Sequence, residues 1–258
     1  MLELELHGRV ARLTLNRPPV NAISSGWLAT FQRLLDELDR RSDWHVLHVR
    51  SCQKVFCAGA DLAEMGQRFA APDGVEAMVE TAAAMQRLFA RIEAMPQVSL
   101  AEIGGAALGG GFELALACDL RMAAAGAKLG LPEARLGLVP GAGGTQRLTR
   151  LAGRATASRL ILGCEIVDGA AAAALGLVQW TIPGSEIAAQ AARKAQELAE
   201  LPASALAGCK ACIAAAGDPH RDGFAEEIAI SRRLYGEAST RERVQAFLSG
   251  APRRELAI

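Results

Sequence analysis

The sequence predicts an α/β fold of repeated strand, loop and helix units with a helical C-terminal region. Three observations support this fold class. Leucines alternate with other residues near the N-terminus, strand-like and helix-like segments follow one another to about residue 150, and helical patterns run nearly unbroken after Gly153. With 258 residues and 51% apolar content, the chain can bury a sizeable core.

The first 40 residues predict a hairpin, a loop and a helix. Residues 2–15 alternate on either side of His7-Gly8, which indicates two paired strands. Arg17-Pro18-Pro19 then interrupts the pattern, so 16–21 is expected to be a loop, because proline removes backbone donors. Ser24 or Ser25 can cap the next helix, whose apolar residues repeat at helical spacing: Trp27, Leu28, Phe31, Leu34, Leu35 and Leu38.

Strands and helices are predicted to alternate in the middle of the chain as well. After a strand near 46–49, Asp61 can cap a helix, with Glu64 at the capping-box position, and both residues are expected to be structural. The other expected elements are helices at 74–94 and 111–117 and strands at 97–103, 119–123 and 177–182.

Two breaks divide the last 60 residues into three or four expected helices. They are Leu201-Pro202 and Gly217-Asp218-Pro219. We therefore predict a core with the active site over 1–195 and a helical region over 196–258, which packs on its own body or serves oligomerisation.

Composition argues against several function classes. Lysine plus arginine total 28, as do aspartate plus glutamate, so no net field attracts nucleic acid or an anionic membrane. No apolar run reaches the ~20 residues that cross a bilayer. The N-terminus lacks a basic-then-apolar signal pattern, and the six cysteines lie mostly in apolar segments. These features predict a cytoplasmic protein.

Metal and histidine chemistry are not expected. Cys209 and Cys212 have a CxxC spacing, but no second Cys or His pair stands at a suitable distance. The histidines are scattered singly, and each fits a surface or strand position better than a catalytic one: His7, His45, His48 and His220.

The strongest candidate site begins at the glycine triplet 109–111. Glycines let backbone approach a ligand closely, and the helix after them would point N–H groups at it. Glu113 lies about one helical turn after Gly110, so its side chain rises beside the same spot. Glu133 follows Pro132, ahead of a glycine-rich stretch at 141–144. Alone, each glutamate also fits a structural role, in the first turn of a helix or in solvent.

Taken together, these segments match acyl-thioester chemistry. An enolate-like oxyanion needs two converging N–H donors, for which Ala60 and Gly110 are the candidates. The proton transfers need carboxylates, for which Glu113 and Glu133 are the candidates.

Four motifs in order carry a family resemblance. They are Asn16-Arg17-Pro18-Pro19-Val20-Asn21-Ala22, Phe56-Cys57-Ala58-Gly59-Ala60-Asp61-Leu62, Ala107-Leu108-Gly109-Gly110-Gly111-Phe112-Glu113-Leu114, and Leu131-Pro132-Glu133 through Pro140-Gly141-Ala142-Gly143-Gly144-Thr145-Gln146-Arg147-Leu148. With them the chain resembles the enoyl-CoA hydratase/isomerase (crotonase) superfamily, strongly to about residue 190.

The resemblance implies a spiral of repeated ββα units, assembled as homotrimers or homohexamers. It implies acyl-coenzyme A thioester substrates, with coenzyme A as part of the substrate and no separate cofactor. The amides of Ala60 and Gly110 would bind the thioester oxygen, and Glu113 and Glu133 would be catalytic. The substrate-binding positions that it implies are Val20, Ala22, Ala58, Asp61, Leu62, Gly109, Pro140 and Gly141.

Having both glutamates favours hydration of a trans-2-enoyl-CoA. An isomerase that uses one carboxylate is the first alternative, and a noncatalytic RNA-binding member is the second, although zero net charge and the lack of a basic-aromatic stripe argue against it. Anionic groups could contact Arg17, Lys54, Arg253 or Arg254, which also fit solvated positions. An acyl pocket could use Met65, Phe69, Met78 and Met85, of which the last two also fit the core.

Overall fold

Two sheets organise the chain in this computed structural model, which describes residues 1–249. The strands are β1 (Leu2–His7), β2 (Val10–Leu15), β3 (Val46–Ser51), β4 (Val98–Ile103), β5 (Ala107–Leu108), β6 (Leu120–Ala124), β7 (Lys128–Gly130), β8 (Val167–Asp168) and β9 (Trp180–Ile182). The larger sheet has the order β1-β2-β3-β4-β6-β9, and the smaller has the order β5-β7-β8. β1 and β2 form the predicted antiparallel hairpin, and every later neighbour in the larger sheet is parallel.

Helices follow most strands, as the sequence predicts. They are α1 (Ser25–Asp39), α2 (Leu62–Phe69), α3 (Gly74–Ala94), α4 (Gly110–Ala117), α5 (Gly144–Ile161), α6 (Gly169–Ala174), α7 (Ile187–Ala199), α8 (Ala203–Ala215), α9 (Gly223–Gly236) and α10 (Ala238–Leu248). A 3₁₀ helix spans Glu133–Leu136. The Ser24 side chain caps α1 by accepting from the Trp27 amide at 3.2 Å, and all six apolar residues predicted for α1 are buried.

The core lies between the larger sheet and its helices. β4 is buried along its whole length, which is typical of a parallel strand covered on both faces. α7 packs on β3 and β4 with a stripe of small side chains, and α4 is wholly buried between α3 and α5. A buried α4 gives the glycines at its start a rigid support.

Some elements differ from the sequence expectation. The strand near Trp180 covers only Trp180–Ile182, and the strands of the smaller sheet were not predicted. Such short segments show no measurable alternation, so periodicity cannot reveal them. The predicted boundary after residue 195 falls inside α7, so one helix crosses it; the division into two domains stays a prediction.

Candidate active site

Two loops meet where the sequence analysis placed the oxyanion hole. The Cys57 carbonyl accepts from the Leu108 amide at 3.0 Å, which aligns the segment after Phe56 with β5 and the start of α4. Gly59 has φ +99°, and a Cβ there would lie 2.9 Å from the Leu108 carbonyl oxygen and 3.2 Å from the Gly110 nitrogen. Glycine is therefore required at 59 for the loops to approach.

The amides of Ala60 and Gly110 lie side by side. A Cβ on Gly110 would stand 3.6 Å from the Ala60 nitrogen. Within residues 1–249, neither N–H donates to a protein acceptor, although the neighbouring Asp61 amide donates to the Ile23 carbonyl at 2.9 Å. Gly110 also begins α4, where unsatisfied N–H groups favour negative charge. Two N–H groups without a protein acceptor in residues 1–249 therefore lie close together at the positions predicted to bind an oxyanion.

Glu113 is buried and firmly oriented one turn further along α4. Its side chain is enclosed, with the residue 2% exposed, and Oε1 accepts from the amides of Ala142 at 2.8 Å and Gly144 at 2.7 Å. Burial raises the pKa of Glu113 to about 7, with Glu133 adding to the rise, while the two amides and Arg147 oppose it. A carboxylate that titrates near neutral pH suits general acid–base catalysis.

Glu133 reaches the same spot from the 3₁₀ helix. A Cβ on Gly109 would lie 2.9 Å from Glu133 Oε1, so the carboxyl group lies directly against that glycine. Burial raises the pKa of Glu133 as well, and its Oε2 is buried with no hydrogen-bond partner in the part of the chain that the structure describes. A desolvated carboxyl group favours its protonated form and can donate a proton.

Asp61 and Ala22, two of the predicted substrate-binding positions, are tied together by Arg17. The guanidinium donates to Asp61 Oδ2 at 2.6 Å and to the Ala22 carbonyl at 2.6 Å. Asp61 also caps α2. The hydrogen bonds that its carboxylate accepts from the backbone amide of Glu64, from Arg17 and from the amide of Ala63 lower its pKa.

The prediction that Glu64 completes a capping box is wrong. Its carboxylate instead accepts from Ser25 and pairs with Arg68.

The other predicted substrate positions lie on four separate segments of the chain. The Ala58 amide donates to the Val20 carbonyl at 3.0 Å, and Leu62 begins α2 with 56% of its surface exposed. Gly109 has φ +51° and donates to the Gly130 carbonyl at 3.0 Å. Pro140 is buried, and the Gly141 carbonyl accepts from Gln86 of α3 at 2.6 Å.

The proposed pocket and phosphate residues separate into different environments. Met85 is buried, and a Cβ on Gly110 would lie 2.6 Å from its terminal methyl, so it backs the oxyanion hole from α3. Met65 and Met78 are half-buried, and Phe69 is exposed. Lys54 is exposed, Arg17 is engaged as described, and Arg253 and Arg254 lie outside the described residues.

Asn21 is a site residue whose role the sequence reasoning missed. It is fully buried at φ +53°, a backbone conformation that asparagine tolerates better than most residues. Its Nδ2 donates to Ser51 Oγ at 2.8 Å and to the Phe56 carbonyl at 2.9 Å, and its Oδ1 accepts from the Arg17 amide at 2.7 Å. Asn21 thus joins the proline loop to the oxyanion loop. In the sequence, the feature that indicates this role is an asparagine in a turn that contains prolines.

Residues 1–249 contain no cluster of three or more His, Cys, Asp or Glu side chains that could hold a metal ion, and the cysteines are free thiols. Over the same residues, no single helix has the length and apolar character to cross a membrane. α7 and α8 reach that threshold only together, with a bend of 102° between them.

Comparison with known proteins gives one consistent result. The family model described as enoyl-CoA hydratase/isomerase matches residues 5–252. The chain is 39% identical over 248 residues to bovine (Bos taurus) enoyl-CoA hydratase domain-containing protein 2, mitochondrial, covering 91% of this chain and 82% of the relative.

Solved structures agree with this result. Pseudomonas aeruginosa DspI superposes with a TM-score of 0.87 at 37% identity, covering 96% of this chain and 94% of that one. An enoyl-CoA hydratase from Bacillus anthracis gives a TM-score of 0.89 at 30% identity, covering 96% of each chain. The present chain therefore belongs to the enoyl-CoA hydratase/isomerase family.

Proposed function

We propose that this protein is an enoyl-CoA hydratase, a hydro-lyase that adds water across the double bond of a trans-2-enoyl-CoA thioester to give a 3-hydroxyacyl-CoA. Family membership implies an acyl-CoA substrate, and several relatives are named as enoyl-CoA hydratases. One observation carries the proposal. A buried carboxyl group, Glu113, and a half-buried one, Glu133, lie at the start of α4 beside the segment that contains the Gly110 amide.

The paired amides would hold the thioester oxygen. Addition of water to the β-carbon sends electrons to that oxygen, which becomes an enolate oxyanion, and two N–H donors stabilise it as the charge develops. Removing one such donor typically costs about 3 kcal/mol of barrier. The fixed approach of the 59–60 loop to α4 supplies this arrangement before substrate binds.

The two carboxyl groups take complementary roles in this mechanism. Glu113 Oε1 is held by Ala142 and Gly144, which leaves Oε2 to orient and deprotonate the attacking water. Glu133, whose pKa is raised by burial, supplies the proton to the α-carbon. The charge of Glu133 raises the pKa of Glu113, so the pair favours a state that holds one proton.

The number of carboxyl groups distinguishes hydration from isomerisation. Moving a double bond requires a single group to carry a proton between two carbons, whereas adding water requires one group for water and one for carbon. The presence of both Glu113 and Glu133 at the oxyanion hole therefore favours the hydratase over the isomerase.

Glutamine variants test this assignment. E113Q and E133Q each preserve side-chain volume and remove a titrating group, so each is expected to lower kcat for hydration of crotonyl-CoA by at least about 10²-fold. E80Q, at an exposed glutamate of α3, is the matched control and should retain full activity. Loss of the enoyl-thioester absorbance measures the rate.

Two results would contradict the hydratase. Full activity in either active-site variant would remove that glutamate from the mechanism. If wild-type protein leaves crotonyl-CoA unchanged but converts a 3-enoyl-CoA into its 2-enoyl isomer, the protein is an isomerase. RNA binding that weakens with salt, without any thioester turnover, would point to the noncatalytic alternative.

Homotrimers or homohexamers would cover large apolar side chains that are more than half exposed on the C-terminal helices: Ile213, Phe224, Ile228, Tyr235 and Val244. Free thiols agree with a reducing, cytoplasmic location. Coenzyme A enters only as part of the substrate, with no additional cofactor. The substrate contacts proposed are those predicted from the sequence, from Val20 to Gly141.

A further inference from the structure

The turn at 141–144 depends on α3 and α5 for its shape. The Gly141 carbonyl accepts from Gln86 Nε2 of α3 at 2.6 Å. The next carbonyl, of Ala142, accepts from Arg147 Nη1 of α5 at 2.9 Å. The two amides that hold Glu113 belong to this same turn. Anything that moves the turn therefore moves the carboxylate.

We propose that Arg147 is a positioning residue for Glu113, a role that rests on the function proposed above: it holds the 141–144 turn so that the Ala142 and Gly144 amides stay directed at the carboxylate. Arg147 lies in the first turn of α5, and its side chain is only 10% exposed. The guanidinium folds back against Gly143, whose φ of +100° leaves no room for a side chain.

Glu93 of α3 orients the arginine. Its Oε2 accepts from Arg147 Nε at 3.1 Å and from Nη2 at 3.0 Å, which leaves Nη1 for the Ala142 carbonyl. A guanidinium that donates in two directions has a defined orientation, which an ammonium cannot reproduce. Gln86 and Glu93 stand seven residues apart on α3, so one face of this helix supports the turn, directly through Gln86 and through Arg147 by way of Glu93.

Arg147 also acts on Glu113 through its charge. Two charged groups influence that carboxylate: Glu133 raises its pKa, and Arg147 lowers it. On α3, Glu93 pairs with Arg147 itself. Replacing Arg147 with a neutral residue removes the cation and loosens the amides, and both changes favour the protonated acid. The pKa of Glu113 should then rise, and the base form should appear only at higher pH.

The pH dependence of kcat separates this role from a general structural one. In R147M, the rising limb of the pH profile of kcat with crotonyl-CoA should shift to higher pH by about one unit, which is a typical effect of one nearby charge. Activity near pH 7 should fall several-fold and recover as pH rises, up to the pH at which Glu133 loses its proton, while KM changes little. R147K keeps the charge without the double contact, so its limb should stay near the wild-type position while kcat falls.

R159M is the matched control. Arg159 also lies on α5 and makes a double contact with a glutamate, Glu165, but that pair is on the surface. Its profile should match wild type. A uniform loss of kcat at every pH in R147M, or a profile indistinguishable from R159M, would overturn the proposal.

A spectroscopic titration keeps the inference independent of turnover. The infrared carboxylic-acid band of Glu113, assigned by its loss in E113Q, reports the pKa directly. A higher midpoint in R147M supports positioning by Arg147 even if wild-type protein fails to hydrate crotonyl-CoA, a result that would refute the proposed function alone. An unchanged midpoint refutes the role of Arg147. If R147M does not fold, R147Q also removes the cation and should show the same rise of midpoint, and no rise would count against the proposal.

Discussion

Replacing Glu113 with glutamine should make stability less sensitive to pH. The Glu113 carboxyl group has its pKa raised from an ordinary value of 4.5 to about 7, chiefly by burial. Between these values the folded protein binds a proton that the unfolded chain does not, so the free energy of unfolding falls as pH rises. This contribution is fully present below pH 4.5 and lost above about pH 7. E113Q has no such proton and no such loss.

The magnitude follows from the two pKa values. Their difference, about 7 minus 4.5, is about 2.5, and at roughly 1.4 kcal/mol for each pH unit the total is about 3.5 kcal/mol. About 2.5 kcal/mol of this should appear between pH 5 and pH 8. Over that range, E113Q should therefore become progressively more stable relative to wild type by about this amount.

Urea unfolding at several pH values measures the difference. Trp27 and Trp44 are buried, so their fluorescence reports loss of the core. Protein concentration must be held constant, because assembly would contribute to the apparent stability. E80Q is the control, since its side chain is 69% exposed and its effect should stay within about 0.5 kcal/mol at every pH. A stability difference between E113Q and wild type that does not change from pH 5 to pH 8 would refute the reasoning.

Two further substitutions test the supports of the site. G109A should lower kcat by at least about tenfold, because its Cβ would lie 2.9 Å from Glu133 Oε1. G153A also places a Cβ at a positive φ outside the left-handed helical region, but in open space, so it has backbone strain of about 1–3 kcal/mol without the clash and should keep its activity. Equal activity losses in the two would exclude the clash. D61A should cost about 1–2 kcal/mol in unfolding free energy through loss of the α2 cap and the Arg17 pair. D61N keeps the cap, so unfolding should show a smaller loss, and equal losses would show that the cap contributes nothing.

Local patterns account for the elements that were predicted well. The β1–β2 hairpin follows from its alternation, and α1 follows from six apolar residues at helical spacing behind a capping serine. The glycine triplet and Glu113 could be located because a helix start is a local property. These features depend on residues within one or two turns of one another, so a single sequence contains their signal.

Long-range contacts explain what could not be predicted. Glu64 satisfies the local rule for a capping box, but its carboxylate instead accepts from Ser25, 39 residues earlier in the chain. The short strands of the smaller sheet form only because Cys57 and β7 lie beside β5. Arg147 lies within one of the four motifs, yet its support of the Glu113 loop depends on Glu93, 54 residues earlier in the chain.

The sequence by itself determined the α/β class, the order of the four motifs and the residue types of the site. It could pair Ala60 with Gly110 as candidate donors, since acyl-thioester chemistry needs two. Only the tertiary structure decided that their nitrogens lie side by side, that Glu133 lies against Gly109, and that burial brings the pKa of Glu113 to about 7. The physical reason is that amide direction and desolvation arise from segments distant in the chain, which packing alone brings together.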